Sequence, residues 1–151
     1  MMLVKTKIKE SSVHGIGLFA DQHIPKGTEI WQFTPGFDQK FTREQILSFP
    51  DLLQIYMYNY SWRSKKTRLY CFSADNGKYF NHSDTPNVLS EYRDGEDEVA
   101  VIALRDIKIG EELLDNYLSF EDEESEGDVL DEIAIKFNLK DMLDPAKKLA
   151  L

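Results

Sequence analysis

A single cysteine, Cys71, among 151 residues excludes an intrachain disulfide and any cysteine-based zinc site. Histidine is almost as scarce: His14, His23 and His82 lie too far apart in sequence to suggest a ready metal triad, so no metal is expected. The chain has neither a Gly-x-x-x-x-Gly-Lys phosphate loop nor a Gly-x-Ser-x-Gly elbow, and no His-x-x-x-His pair. The common nucleotide-binding and hydrolytic signatures are therefore missing. No run of eighteen apolar residues occurs and no apolar signal core follows Met1, so the expectation is a soluble protein with no membrane contact, in a reducing setting.

Positive charge is also thin, 18 Lys and Arg against 27 Asp and Glu. Only residues 63–68, Arg-Ser-Lys-Lys-Thr-Arg, gather it, and direct nucleic-acid binding is not expected from so short a patch. The net charge of −9 is concentrated: residues 121–132 hold eight acids and no base, which leaves the rest near neutral. Such a run is either solvated or turned toward a basic partner. The length fits one body over residues 1–120 with an acidic segment and helix, 121–151, packed on it.

What is present reads mostly as short strands. Val4, Thr6 and Ile8 alternate with lysines, the period-two signature of a half-buried strand over residues 4–9. Strands are also expected over 29–33 and 69–72, and over 88–92 and 98–103 as a hairpin around Asp94-Gly95. Thr42-Arg43-Glu44-Gln45 is a capping box for a helix over 43–48, and Asp51 can cap another over 52–58. Tyr56, Tyr58, Tyr60 and Trp62 recur every second residue, as an aromatic wall or as ordinary core. Leu104 to Gly110 repeats the cadence of Ala20 to Gly27. Val129, Leu130, Ile133, Ala134 and Phe137 share one face of a helix over 128–137, and Asp144-Pro145 can start a last turn.

Tyr79-Phe80-Asn81-His82-Ser83-Asp84-Thr85-Pro86-Asn87 is the stretch around which the chain is organised. Each amide, imidazole and hydroxyl in it would need its own partner if buried, so it reads as a loop held in one shape. His14-Gly15-Ile16-Gly17-Leu18-Phe19-Ala20 follows the first strand, where a Gly-x-Gly permits either a tight turn or close approach to a ligand. The third piece is Gly110-Glu111-Glu112-Leu113-Leu114-Asp115-Asn116-Tyr117.

In this order and at these separations the three pieces resemble the SET-domain family of protein lysine methyltransferases, over roughly residues 7–120. The resemblance implies a mainly β, β-clip-like fold of small sheets with short helices and a C-terminal helical appendix. The segment before Tyr117 threads beneath a loop in such a fold and lies beside Asn81-His82. S-adenosyl-L-methionine is the implied cofactor, held by the backbone at Ile16 and Gly17 and by Asn81 and His82, with Phe120 closing over it. Tyr117 is implied as the catalytic residue, placed where the methyl crosses. The implied lysine channel has Trp31, Phe33, Tyr79 and Asp115 on its walls. The expected partner is a basic protein presenting lysine, such as a histone or histone-like protein, met by a monomer or by a homodimer joined through the C-terminal helix. The compact form resembles bacterial or viral members, for which the expected location is cytoplasmic, or nuclear by diffusion or on entering a host.

The chemistry suits those residue types. Methyl transfer to an amine is an in-line displacement that needs alignment and no covalent intermediate. The lysine must first lose a proton, which an apolar aromatic channel favours by penalising the ammonium. His82 is accordingly read as structural and cofactor-contacting, with no part as a base. Four departures stand out: Asp84 where many relatives carry a zinc-binding cysteine, Asn116 for a common Asp, Phe33 for a frequent tyrosine, and Asp115 where many have Phe or Tyr. The last position is linked in the family to the number of methyl groups added. The rival expectation is a catalytically silent SET-like module that binds a lysine-bearing or basic peptide through Asp115 and the acidic tail.

Overall fold

A computed structural model describes residues 1–121 and 128–139; most of the acidic segment and the turn expected at Asp144-Pro145 lie outside them. Among the described residues the strands form four small sheets. Strands β1 (Thr6–Glu10) and β2 (Ile16–Ala20) pair as an antiparallel ribbon. Strands β3 (Glu29–Gln32), β8 (Val88–Tyr92) and β9 (Val99–Ala103) form a second sheet in the order β3-β9-β8, and β4 (Gln39–Phe41), β5 (Ser61–Arg63) and β6 (Tyr70–Phe72) a third in the order β4-β6-β5. The fourth is a parallel pair, β7 (Asn81–His82) with β10 (Leu114–Asp115). The mainly β, small-sheet architecture is the one expected.

The alternation over residues 4–9 does make a strand, but its apolar face is not buried as expected. Ile8 is 45% exposed while its register partner Leu18 is fully covered. The reason is position: β1 is the outer edge of a two-stranded ribbon, so its side chains sit at the rim of the core. The core itself gathers Leu18, Ile24, Ile30, Val88, Val101, Ile107 and Leu113 from β2, the β3-β9-β8 sheet and the connections between them.

The repeated cadence is a physical pairing. Ile24 and Ile107, both fully buried, exchange two backbone hydrogen bonds of 2.9 and 2.8 Å. The turns that end each run hold glycine at φ +80 (Gly27) and +88 (Gly110), where a side chain would be strained. Gly110 N–H then donates to Ala20 C=O at 2.8 Å, which delivers the chain to β10.

Helix α1 (Arg43–Leu47) carries the expected capping box in both directions: Gln45 N–H donates to the Thr42 hydroxyl at 3.3 Å and Thr42 N–H to the Gln45 side chain at 2.8 Å. Helix α2 (Asp51–Tyr60) differs from expectation at both ends. Its N-cap is Pro50, whose fixed φ suits the entry, with Asp51 inside the first turn, and it runs to Tyr60 before passing straight into β5. Helix α3 (Val129–Phe137) is capped by Asp128, and its apolar face settles on α1 and α2 with Val129 and Ile133 buried beside Ile46 and Met57. Ion pairs from Arg43 to Glu132, and from Lys136 to Asp51 at 2.8 Å, flank that contact.

Two isoleucines of α3 separate these effects. Ile133 is 1% exposed and Ile135 is 82% exposed. In chemical denaturation Ile133→Ala should cost about 2–4 kcal/mol, and Ile135→Ala should stay within about 0.5 kcal/mol of the parent; equal effects would mean that α3 does not dock on this face.

Candidate functional site

The site is built where β10 lies against β7, with Leu114 opposite Asn81 and Asp115 opposite His82. Pro86 ends the loop after β7, and Asn87 then spends its whole side chain on the incoming strand. Its Nδ2 donates to Glu112 C=O at 2.8 Å, and its Oδ1 accepts from Leu114 N–H at 2.9 Å. Ser83 N–H to Asp115 C=O at 2.8 Å and Asn87 N–H to Leu114 C=O at 3.0 Å complete that side. On the other side Leu113 N–H donates to Leu18 C=O at 2.7 Å, so residues 110–115 are held between β2 and the organising loop.

Asn81 ties the third piece in. Its buried Nδ2 donates to the carbonyls of His14 at 3.0 Å and Ile16 at 3.3 Å and to Glu112 Oε1 at 2.9 Å. Glu112 Oε2 accepts from the Ser11 hydroxyl at 3.0 Å. Gly17 is buried beneath this network, and a Cβ there would stand 2.1 Å from Glu112 Oε1. The close approach that Gly17 permits is thus to Glu112 of its own chain. Residues 12–16 are exposed, Ile16 at 48%, and they form a backbone ledge fixed from below by Asn81.

Tyr117 joins the two sides. Its backbone N–H donates to His82 Nδ1 at 3.2 Å, and the two rings meet at 5.3 Å between centroids. An accepting Nδ1 carries no proton, so the neutral His82 ring holds its hydrogen on Nε2, 3.3 Å from Asp84 Oδ1. The Tyr117 hydroxyl donates to Phe80 C=O, one residue before Asn81. Burial, then the negative charges of Glu121, Asp115 and Glu112, push this phenol far above its usual range, so it stays protonated.

Beside Tyr117 opens a cavity of about 70 Å³. Its aromatic walls are Trp31, Tyr60, Trp62, Phe80, Tyr117 and Phe120, and its polar lining includes Ser90, Asp115, Lys78 and Glu121. The rings form a run of edge contacts: Trp31 to Trp62 at 5.9 Å, Trp62 to Phe120 at 6.1 Å and Phe120 to Tyr117 at 5.9 Å. Gly77 must be bare because a Cβ would stand 2.5 Å from the Trp31 indole nitrogen. Asp115 is 2% exposed; it accepts from the Ser90 hydroxyl and, at 2.8 Å, from Asn116 N–H. Burial raises its carboxyl to about 6 against those two hydrogen bonds.

Of the residues expected on the channel wall, Trp31 and Asp115 line the cavity; Phe33 and Tyr79 do not. Strand β3 stops at Gln32, so Phe33 leaves the sheet and packs on Trp31 at 6.4 Å, and Tyr79 packs on Tyr60 at 5.6 Å, each one ring behind the wall. Phe120 is 8% exposed and belongs to the wall between Trp62 and Tyr117. Ile16, Gly17, Asn81 and His82 lie together at the ledge and off the cavity, with Tyr117 between the two groups. Tyr60 and Trp62, which the every-second-residue pattern offered as a possible wall, are on it. Glu112 and Ser90 are not among the expected site residues; nothing in the sequence pairs Glu112 with Asn81 or Gly17, which it meets only in the folded chain.

The comparisons with known proteins agree on the family. Residues 15–118 match the family model of the SET domain. A Schizosaccharomyces pombe protein named "Histone-lysine N-methyltransferase, H3 lysine-37 specific" is 31% identical over 122 residues, 79% of each chain. Among solved structures, a Plasmodium falciparum protein named provisionally as a histone methyltransferase aligns with a TM-score of 0.54 at 24% identity, covering 77% of this chain and 95% of that one. The Chaetomium thermophilum Polycomb Repressive Complex 2, in an autoinhibited conformation bound to S-adenosylmethionine, aligns with a TM-score of 0.60 at 19% identity over 89% of this chain and 17% of its own. The family match takes in Ile16, Gly17, Asn81, His82, Asp115 and Tyr117, and the chain belongs to the SET-domain family.

Proposed function

We propose that this protein is an S-adenosyl-L-methionine-dependent protein-lysine N-methyltransferase acting on a basic protein such as a histone. One observation carries the reading: Tyr117 is bound to His82 on the ledge side and lines an aromatic cavity on the other, so a donor and an acceptor on opposite sides would meet at its hydroxyl. The cavity's size supports this. At about 10–15 Å³ per water-sized atom, 70 Å³ holds about five to seven such atoms, the scale of one lysine side chain and far short of a nucleoside.

The residues present fit the cofactor by their chemistry. A cationic sulfonium is favoured by oxygen acceptors and aromatic faces, and the Tyr117 hydroxyl has the Phe80 carbonyl, the rings of His82 and Phe120, and the charges of Glu112, Asp115 and Glu121 about it. Ile16 and Gly17 through their backbone, with Asn81, His82, Tyr117 and Phe120, are the groups that would hold it. When bound, it supplies a methyl group activated by positively charged sulfur.

The protein's own part is alignment and dehydration. The walls exclude water and penalise the ammonium, so a lysine entering the cavity loses its proton more readily than in solvent. Tyr117, its hydroxyl proton committed to Phe80, keeps lone pairs that accept an N–H from the amine and hold its own lone pair in line. His82 moves no proton; its ring fixes the Tyr117 backbone. A SET domain of this kind makes a basic substrate the natural partner for a chain of net charge −9.

With tritiated cofactor and core histones plus a lysine-centred peptide library, the protein should transfer label, and Tyr117→Phe should lose it by on the order of 10²-fold while staying folded, at a cost of about 1–3 kcal/mol for the unpaired Phe80 carbonyl. Peptide binding without transfer by the parent would instead establish the silent binding module. Calorimetric titration with S-adenosyl-L-methionine checks the ledge. Gly17→Ala, which displaces Glu112 from Asn81, should weaken binding by about tenfold, as expected for about 1.4 kcal/mol; an unchanged affinity would place the cofactor elsewhere.

A further inference from the structure

The cavity's opening carries a positive charge that aligning and dehydrating an amine does not use. Among the lining residues only Asn59 is exposed, so the cavity meets solvent at the end of α2, beside the half-buried Tyr60 and Lys78. Lys78 belongs to the short turn Asn76–Tyr79, which Asp75 caps. One Asp75 oxygen accepts from Gly77 N–H at 3.0 Å, from the Ser73 hydroxyl at 3.1 Å and from the Trp31 indole at 3.3 Å; the other accepts from Met2 N–H at 2.6 Å. The turn is therefore fixed to a wall of the cavity, and the acid three residues before Lys78 is engaged elsewhere. The Lys78 ammonium rests over the rings of Phe72 and Tyr79, at 5.3 and 5.6 Å, with no carboxylate partner among the described residues.

Those two rings belong to a patch that leads away from the cavity. Tyr60 meets Tyr79 at 5.6 Å and Tyr56 at 4.8 Å, and Tyr56 meets Phe72 at 5.9 Å. Leu52, Tyr56 and Tyr60 stand four residues apart on α2 and so share one stripe of it. Leu52, at the far end, is 82% exposed, and Leu53 and Tyr56 are exposed beside it. A helix stripe that faces water is ordinarily polar. This one is aliphatic and aromatic, with a single cation where it reaches the cavity.

Resting on the methyltransferase reading above, we propose that Lys78 and this stripe of α2 form a subsite for the substrate chain beside the target lysine, selecting a carboxylate two residues from that lysine and a bulky apolar side chain four residues from it. In an extended peptide, side chains two apart lie on the same face, about 6.6 Å along. With the target lysine in the cavity, the second residue out reaches Lys78 at the opening. From Tyr60 to Leu52 is eight residues of α2, about 12 Å of helix, close to the span of about 13 Å for four extended residues. The fourth residue out thus falls on Tyr56 and Leu52.

The charge works in both directions. The rings have already taken part of the ammonium's water and freedom, so less is lost when it pairs with a carboxylate. The same ammonium repels a lysine or arginine at that position. A net charge of −9 draws basic chains without distinguishing one lysine from another; Lys78 supplies the distinction. The subsite narrows the substrate from a basic protein to a lysine in a locally acidic and apolar stretch of it.

The experiment is label transfer from tritiated S-adenosyl-L-methionine to lysine-centred peptides. On each side in turn, the residue two away is Asp, Asn or Lys and the residue four away is Leu or Ser. The parent should prefer Asp to Asn on one side by about three- to tenfold in kcat/KM, and Asn to Lys by about the same factor. Each preference is a ratio within one enzyme, so a loss of stability alone does not move it. Lys78→Glu should invert the order of Asp and Lys, Lys78→Gln should bring Asp and Asn level, and Lys78→Arg should keep the parent's order. Leu52→Ser should remove the preference for Leu four residues out and leave that for Asp. Equal transfer to the Asp, Asn and Lys peptides by the parent, or preferences unchanged in Lys78→Glu, Lys78→Gln and Leu52→Ser, would overturn the subsite and leave the methyltransferase reading intact. No label transfer by the parent to any peptide or to core histones would overturn both.

Discussion

The whole site depends on a pairing two residues long, Leu114-Asp115 beside Asn81-His82. A parallel ladder of that length has almost no stability of its own, since parallel strands need neighbours and cover to persist. Here the cover comes from side chains. Asn87 replaces the missing backbone partners of Glu112 and Leu114, and Asn81 does the same for the carbonyls of His14 and Ile16. Both asparagines bond as a strand neighbour would, with an amide donor, and in Asn87 an amide acceptor too. That is why the organising loop sets a buried amide at each end, Asn81 and Asn87, although Asp84 and Thr85 between them are exposed.

From this clamp the rest follows in order. Fixing Asp115 and Asn116 fixes Tyr117, because its backbone N–H has only the His82 ring to bond, and the ring in turn is fixed by its place on β7. The phenol then reaches Phe80 C=O and closes the gap between ledge and cavity. Gly17 and Gly77 serve the same end from outside: each removes a Cβ that would push Glu112 or Trp31 out of place. A small fold with no metal-binding cluster among its described residues thus gains its rigidity from hydrogen bonds that cross between sheets.

The sequence made some of this plain and hid the rest for identifiable reasons. The amide-rich loop and Gly110 to Tyr117 stood out because their polar groups could not all be satisfied locally, and the Thr42 capping box because it is a local device. Channel residues were harder. Alternation tells which face a residue takes only while the strand lasts, and β3 ends at Gln32, so Phe33 turns away behind Trp31. Tyr60 and Trp62 belong to one wall across a helix–strand junction, where neither period applies, so their joint position could be offered but not chosen. Glu112 was invisible because its partners are a glycine's empty space and a distant asparagine.

Asp115 raises a last question, why a fold so dependent on satisfied polar groups keeps a buried carboxylate with no ion-pair partner among the described residues, the lysine of the cavity lining, Lys78, being held over the rings of Phe72 and Tyr79. Burial works against its charge, and two hydrogen bonds recover only part of that cost, which is the meaning of a carboxyl raised to about 6. An asparagine could accept from Asn116 and donate to Ser90 in the same place with no charge to bury. Folding alone therefore gives no reason for the acid. A cationic or N–H-bearing guest would supply one, since the strength of a charged hydrogen bond grows as water is excluded. The raised carboxyl is the outcome of one placement, set by the register that puts Asp115 opposite His82 and in reach of the Ser90 hydroxyl.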